Sequence, residues 1–291
     1  MKILLLGNTG QLGWELNRTL LTLGELTALD FPQINMADPG SIKTIIREHK
    51  PNLIINATAY TDVDNAESEP EKAMAINATG PGVLAEEALK SCTALIHYST
   101  DYVFDGSKGT PYIETDIPNP INTYGLSKLR GEQAIKQVGG AYLILRTAWV
   151  YSMRRPCFVT KVLEWARTQK VIRIVDDQIS SPTWARMLAE ATSQIITQGH
   201  GETVDYFKEK AGLYHLAGAG ACSRYVWAKE IVMYGLNPIQ QSQIFVEAAK
   251  SVEFSSPVVR PTNSSLTNNS FLETFGFRLP QWNTSLQLAL K

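Results

Sequence analysis

Tyr124 and Lys128 are the residues whose types and spacing most directly suggest chemistry. They stand four apart in a stretch that reads as a helix over 123–138, so both side chains share one face. When a ketone is reduced by hydride, negative charge grows on its oxygen and a positioned acid must supply a proton. A phenol ionises near pKa 10, too weakly acidic by itself, and a neighbouring ammonium is expected to lower that value by favouring phenolate. The same lysine can hold the ribose of a nicotinamide. Thr100 ends an apolar strand read over 94–100, so its hydroxyl emerges at the carboxyl end of the sheet and can share the carbonyl with Tyr124. The spacing alone also fits an ordinary surface pair on a helix. Its neighbours in the sequence decide between the two.

Gly7, Gly10 and Gly13 follow an apolar strand and open a helix. A dinucleotide turn needs glycines for its sharp bend, for backbone approach to pyrophosphate and for close packing of helix on strand. The helix start adds unpaired N–H groups and the positive end of a dipole. Gln11 and Leu12 occupy that start. Asp30 closes the second strand, 17 residues after Gly13, where a carboxylate can accept bonds from ribose hydroxyls. It would repel a 2′-phosphate unless a cation such as Arg18 compensates, so both NADH and NADPH are expected to serve. A plain glycine-rich turn and an acid capping a strand are the simpler readings. Strand, turn and helix in the right order favour the cofactor.

The elements that must position these groups alternate regularly. Strands are read at 2–7, 26–30, 53–58, 94–100 and 141–150, with helices at 11–23, from Asp38 through Ile46, at 70–89 and at 123–138. Leu12, Leu16, Leu20 and Leu23 form one helical face. Buried strands alternating with helices imply a parallel sheet covered on both faces and joined by right-handed crossovers. The expected fold class is α/β: a Rossmann-type doubly wound parallel sheet with a smaller C-terminal substrate-binding lobe. Residues 1–150 would form the dinucleotide-binding domain. Residues 151–291 would form mainly the lobe, with some segments returning to the sheet. Here a helix at 156–168, a strand at 171–175, a helix from Pro182 and a strand at 213–217 are readable, and 247–269, rich in Ser, Asn and Pro, reads as loops.

Composition removes several alternatives. The net charge of -1 leaves no global field to draw the chain to nucleic acid or an anionic membrane. No apolar run approaches the roughly 20 residues that cross a bilayer, and the apolar N-terminus runs into the glycine turn rather than a cleavage site. Cys92, Cys157 and Cys222 are odd in number and widely spaced, forming neither a disulfide framework nor a metal pattern. A cytoplasmic protein with no nucleic-acid or membrane partner is expected.

The surrounding motifs resemble those of the extended short-chain dehydrogenase/reductases, and within them the dTDP-4-dehydrorhamnose reductase family. The opening at 7–16, Asp62-Val63-Asp64-Asn65-Ala66-Glu67 with Pro70, and HYSTDYVFDG over 97–106 carry the likeness. So do Glu114-Thr115-Asp116, Pro118, Pro120 and Asn122-Thr123-Tyr124-Gly125, then Arg146-Thr147-Ala148-Trp149-Val150-Tyr151. Asp177-Gln178, Pro182-Thr183, Tyr214-His215-Leu216 and Arg260-Pro261 with Asn263-Ser264 complete it. The resemblance implies NAD(P)H-dependent reduction of the C4 ketone of dTDP-4-dehydro-L-rhamnose, before rhamnose is transferred to bacterial surface polysaccharide.

By position it also implies roles. Thr100, Tyr124 and Lys128 would be catalytic. The glycine-turn residues, Asp30, Ala59, Tyr60, Thr61, Tyr124 and Lys128 would meet the cofactor. Thr100, Asp101, Tyr102 and Trp149 would touch the sugar, with Arg260 near the diphosphate, and Asn77 would orient the lysine through water. A tryptophan at a strand end usually just packs; the motif match sets Trp149 apart. Residues 152–157 depart from the family pattern and add Arg154 and Arg155. Some members dimerise around magnesium held by glutamates. Glu15 matches one such position, but Arg186 stands at another and the C-terminus lacks a carboxylate, whereas a hard divalent ion needs several oxygens. No metal and a monomer, or at most a weak dimer, are therefore expected. An epimerase or dehydratase of the same fold and a non-catalytic NAD(P)-binding regulatory subunit are the rival readings.

Overall fold

A computed structural model describes residues 1–199 and 201–291. The first half alternates β1 (Lys2–Leu6), α1 (Gln11–Leu20), β2 (Glu25–Leu29), α2 (Pro39–His49), β3 (Leu53–Asn56), α3 (Val63–Ser68) and α4 (Pro70–Met74). A π-turn at Ala75–Thr79 leads into α5 (Gly80–Lys90), then β4 (Ala94–Thr100), a 3-10 turn at Asp101–Val103, α6 (Thr123–Val138) and β5 (Tyr142–Thr147). The second half runs β6 (Val150–Tyr151), α7 (Phe158–Thr168), β7 (Val171–Val175), β8 (Ile179–Ser180), β9 (Thr183–Trp184), α8 (Ala185–Gln198) and α9 (Thr203–Glu209). It ends with β10 (Gly212–His215), β11 (Cys222–Ser223), α10 (Arg224–Gly235), α11 (Pro238–Ser242), β12 (Phe245–Ala249), α12 (Asn269–Phe275) and α13 (Trp282–Ala289). No described helix is long and apolar enough to cross a membrane.

The central sheet has the order β2-β1-β3-β4-β5-β10, and every neighbouring pair is parallel. The chain steps outward from β1 to β2, then returns past β1 to β3. That reversal opens a crevice at the carboxyl ends of β1 and β3, where doubly wound sheets take ligands. One face of the sheet is covered by Leu12, Leu16 and Leu20 of α1, with Leu188 and Ile195 of α8, Phe207 and Phe271. The other is covered by Ile42 and Ile46 of α2, Leu84 and Ala88 of α5, and Ile135 of α6. Each such leucine or isoleucine contributes about 1.5–3 kcal/mol when fully buried, so these stripes hold the crevice in place. A separate cluster surrounds Trp227, with Val159 and Val162 of α7, Ile172 and Ile174 of β7, Ile231 of α10 and Leu286 of α13.

The structure corrects several sequence expectations. The strand read over 141–150 is two strands, because Trp149 adopts φ 40° between β5 and β6. The helix read over 11–23 stops at Leu20. The helix read over 70–89 is present but interrupted by the π-turn around Asn77. The segment read as loops from 247 begins inside β12, which pairs parallel with β7. Helices α10 and α13, absent from the sequence reading, complete the Trp227 cluster.

Candidate active site

The glycine turn is built as its spacing requires. Gly7 has φ 88°, and a Cβ there would lie 2.9 Å from the Ala57 carbonyl. A Cβ on Gly13 would sit 1.8 Å from the Gly7 oxygen, so helix and turn touch backbone to backbone. Gly10 is different: its Cβ would find only the Gly7 oxygen, at 3.3 Å, and it opens α1 without a side-chain cap. Beside it, Asn8 Oδ1 and Gln11 Oε1 are buried and unpartnered. Leu12 packs inward. Asp30 lies against the turn, its Oδ2 accepting from Thr9 N at 3.1 Å and Thr9 Oγ1 at 2.5 Å. Arg18 turns away from Asp30, with Nε 3.3 Å from Glu15 and Nη2 3.7 Å from Glu190. An open cradle, orphaned polar atoms and a nearby carboxylate fit a dinucleotide's pyrophosphate and ribose.

The chain leaving β3 runs alongside this turn, since Ala57 N donates to Leu6 O at 2.9 Å. Ala59, Tyr60 and Thr61 follow at the same end of the sheet. Asn77 clamps them: Tyr60 N donates to its Oδ1 at 2.8 Å, and its Nδ2 donates to Tyr60 O and Ser127 Oγ, both at 3.0 Å. Asn77 thus braces Tyr60 against Ser127 of the helix that carries Lys128. A π-turn widens the helix at this asparagine, a distortion often found where a side chain has a job. The Tyr60 hydroxyl donates to Glu69 at 2.5 Å, and that bond pushes its phenol up to about 12.

Helix α6 carries the two residues singled out first. Asn122 caps it by accepting from Gly125 N at 2.8 Å, a bond worth about 1 kcal/mol. Glu67 accepts from Thr123 N and Oγ1 at 2.8 and 2.7 Å, placing a carboxylate at the positive end of the helix dipole. Two glycines let the helix come close: a Cβ on Gly125 or Gly131 would lie 2.1 Å from the Tyr102 or Asn77 oxygen. Lys128 is thereby buried under β4, donating to Tyr98 O at 2.6 Å and standing 3.4 Å from His97 Nε2. Burial lowers its pKa to about 8. Asn56 Oδ1 accepts from Thr58 N and Oγ1, so its Nδ2 faces His97 Nδ1 at 3.0 Å. This assigns the histidine proton to Nε2, facing the lysine, and burial holds the imidazole neutral.

Tyr124 and Thr100 meet at the end of β4, where the Thr100 hydroxyl donates to Asp101 Oδ1 at 3.1 Å and accepts from Tyr102 N at 3.2 Å, beside the phenol. The direction of the Tyr124 pKa differs from the sequence expectation. Desolvation raises it, the nearby Thr100 hydroxyl opposes that rise, and Lys128 is not among the groups that shift it. The phenol is thus held firmly protonated. Behind this pair, Ser99 Oγ donates to Glu132 at 2.5 Å, and Arg146 pairs with Glu132 through two bonds of 2.8 and 2.7 Å. That buried pair fixes β4 between the residues that hold Lys128 and Tyr124. The arrangement can deliver a proton to a carbonyl oxygen at the mouth of β4.

The residues expected at the sugar are spread over two layers. Tyr102 packs edge-on to Tyr124, ring centroids 5.8 Å apart, and Trp149 stacks on Trp227 at 5.4 Å. Asp101 is the exception. It is 2% exposed, and its carboxylate accepts from Ser180, Ser264 and Thr100 at 2.8, 2.5 and 3.1 Å. It ties β4 to two later segments rather than facing the cleft. Arg260 donates to Asp64 and Ser256, both at 2.7 Å. Arg224, unmarked in the sequence, lies 4.2 Å from the Trp149 ring centroid. Its signal was faint: an arginine just after Ser223, a residue type that commonly starts helices. In the departing loop, Arg154 lies 3.0 Å over the Trp14 ring of α1. Arg186 holds Glu190 at 3.0 Å, and among the described residues no three acids, histidines or cysteines group as metal ligands.

A dinucleotide-type turn, a doubly wound sheet and a Thr-Tyr-Lys cluster at its carboxyl end define a short-chain dehydrogenase/reductase architecture. More narrowly, residues 1–291 match the family model described as the RmlD substrate binding domain, and the chain belongs to that family. A dTDP-4-dehydrorhamnose reductase from Burkholderia thailandensis is 38% identical, covering 100% of this chain and 98% of the relative. The crystal structure of a dTDP-4-dehydrorhamnose reductase from Clostridium acetobutylicum aligns at TM-score 0.91 and 32% identity, over 100% and 98% of the two chains. One from Bacillus anthracis, solved in complex with NADP, aligns at TM-score 0.87 and 31% identity, over 99% and 97%.

Proposed function

We propose that this chain reduces the C4 ketone of dTDP-4-dehydro-L-rhamnose to dTDP-L-rhamnose, using NADPH or NADH. The carrying observation is the convergence of Thr100, Tyr124 and Lys128 at the end of β4, in a chain that matches this reductase family over its full length. A reduced nicotinamide, when bound, supplies the hydride. Gly7, Gly10, Gln11, Leu12 and Gly13 would hold its pyrophosphate, with Asp30 at the ribose and residues 59–61 along its length. Tyr124 donates its proton to the carbonyl oxygen as charge develops, and Thr100 shares that oxygen. Burial suits Tyr124 to this role, because a donor must hold its proton until the transition state. Lys128, one helical turn away, then supports the phenolate. The cluster around Trp227 forms the substrate side of the cleft.

The protein acts as a cytoplasmic monomer in this reading, since Glu15 is committed to Arg18 and Arg186 to Glu190. Light scattering with magnesium and with a chelator tests this, and a chelator-sensitive dimer overturns it. The activity is tested by following NADPH and NADH oxidation with dTDP-4-dehydro-L-rhamnose. Stoichiometric consumption of reductant is expected with both. Failure with both reductants removes the function; failure with NADH alone removes only the dual use inferred from Asp30.

A further inference from the structure

The catalytic cluster leaves one strongly charged group in the cleft unexplained. Arg224 is the first residue of α10, where the positive end of the helix dipole disfavours a cation. Its Nε donates to Gln178 Oε1 at 3.2 Å, and its guanidinium lies 4.2 Å from the Trp149 centroid and 5.0 Å from the Phe158 centroid. Among the described residues it pairs with no carboxylate, whereas its neighbour Arg260 has Asp64. The two arginines repel each other, and both bear on the Tyr102 phenol.

Packing against Trp149 is the simpler reading, and an apolar side chain would pack there without desolvating a charge. A half-buried cation, set against a helix dipole and a second guanidinium, is retained at a cost that ring packing alone does not explain. All three penalties reverse when an anion binds between the arginines. The position suits such a group. Tyr102 packs edge-on to Tyr124 and its phenol feels Arg224, so one side chain links the guanidinium to the reacting end of the cleft.

We propose that Arg224 is the principal cation for the diphosphate of the nucleotide-sugar substrate, its plane held by Trp149 and Phe158, with Arg260 as the second arm. This rests on the reductase reading above and adds a specificity-determining residue to it. The test titrates dTDP into the cofactor-loaded protein by calorimetry, for wild type, Arg224→Met and Arg224→Lys. Arg224→Met is expected to weaken dTDP roughly 30-fold, to flatten the salt dependence and to leave NADPH affinity unchanged, which reports an intact fold. Arg224→Lys should recover part of the loss, since it keeps charge without the planar fork. In turnover, KM for the nucleotide sugar should rise far more than kcat falls. Unchanged dTDP affinity in Arg224→Met, with wild type still reducing its substrate, overturns the proposal alone. Wild type that neither binds dTDP nor turns over overturns the proposal and the reductase reading together.

Discussion

The two ends of the cleft are finished in opposite ways. At the end of β4, Lys128, Asn77, Ser127, Ser99 and Glu132 all bond to other protein groups, several of them deeply buried. At the glycine turn, α1 begins without a side-chain cap and Asn8 Oδ1 and Gln11 Oε1 have no partner. The difference follows from what each end must do. Groups that deliver a proton act through fixed orientation, and prior bonds supply it. Groups that cradle a ligand gain by being unsatisfied beforehand, because the ligand then completes bonds that are costly to leave unmade.

Substitution at the wired end gives the largest expected effect. Tyr124→Phe removes one hydroxyl and leaves the ring to pack edge-on to Tyr102. Turnover should fall about 10²- to 10⁴-fold, with NADPH affinity and thermal midpoint nearly unchanged. Single-turnover kinetics and a cofactor titration measure both. Retained turnover would place the proton donor elsewhere and break the comparison at its first end.

Lys128→Met sharpens the same point from the stability side. Burial holds this lysine at about 8, below the ordinary 10.5 of a free lysine, so its charged form is disfavoured in the fold. Below pH 8 the folded protein carries the full penalty, and above 10.5 it carries none. At pH 7 the shift corresponds to about 3 kcal/mol. The lost bond to Tyr98 O returns about 1 kcal/mol of that. The variant should therefore be about 2 kcal/mol more stable at pH 7 by denaturant unfolding, and this gain should vanish above pH 10.5. Wild-type kcat should decline as pH rises through about 8, because the ammonium that supports the phenolate is lost there. The variant should be slow and lack that limb.

The wired end was also the more legible one. Residues 94–100 and 123–138 were bounded correctly because an apolar strand and a capped helix are written in local period and turn residues. The residues that drew attention to their junction, Thr100, Tyr124 and Lys128, sit on those two elements. What escaped depended on distant partners. Asp101 faces inward because Ser180 and Ser264 come to meet it from far along the chain. β12 pairs with β7 across more than seventy residues, and its alternation is too short to outweigh the Ser- and Pro-rich tract beside it. The break at Trp149 gives no signal, since a positive φ is foreseeable at glycine and not at tryptophan. The direction of the Tyr124 pKa was missed because the sequence shows neighbours but not desolvation.

The smallest effect belongs to the open end. Gly10→Ala should fold, because its Cβ meets only the Gly7 oxygen, at 3.3 Å, whereas the same change at Gly13 would drive a methyl to 1.8 Å from that oxygen. An alanine at this helix start costs a few tenths to about 1 kcal/mol, so a thermal midpoint a few degrees lower is expected. The methyl would stand where pyrophosphate must approach the backbone, so NADPH affinity should fall about tenfold while kcat at saturating cofactor stays close to wild type. Fluorescence titration of NADPH together with thermal unfolding separates the two effects. Unfolding of Gly10→Ala would show that Gly10 serves packing as Gly13 does, and unchanged NADPH affinity in a folded variant would remove Gly10 from the cofactor cradle; in either case the two ends of the cleft would differ less than their hydrogen bonding indicates.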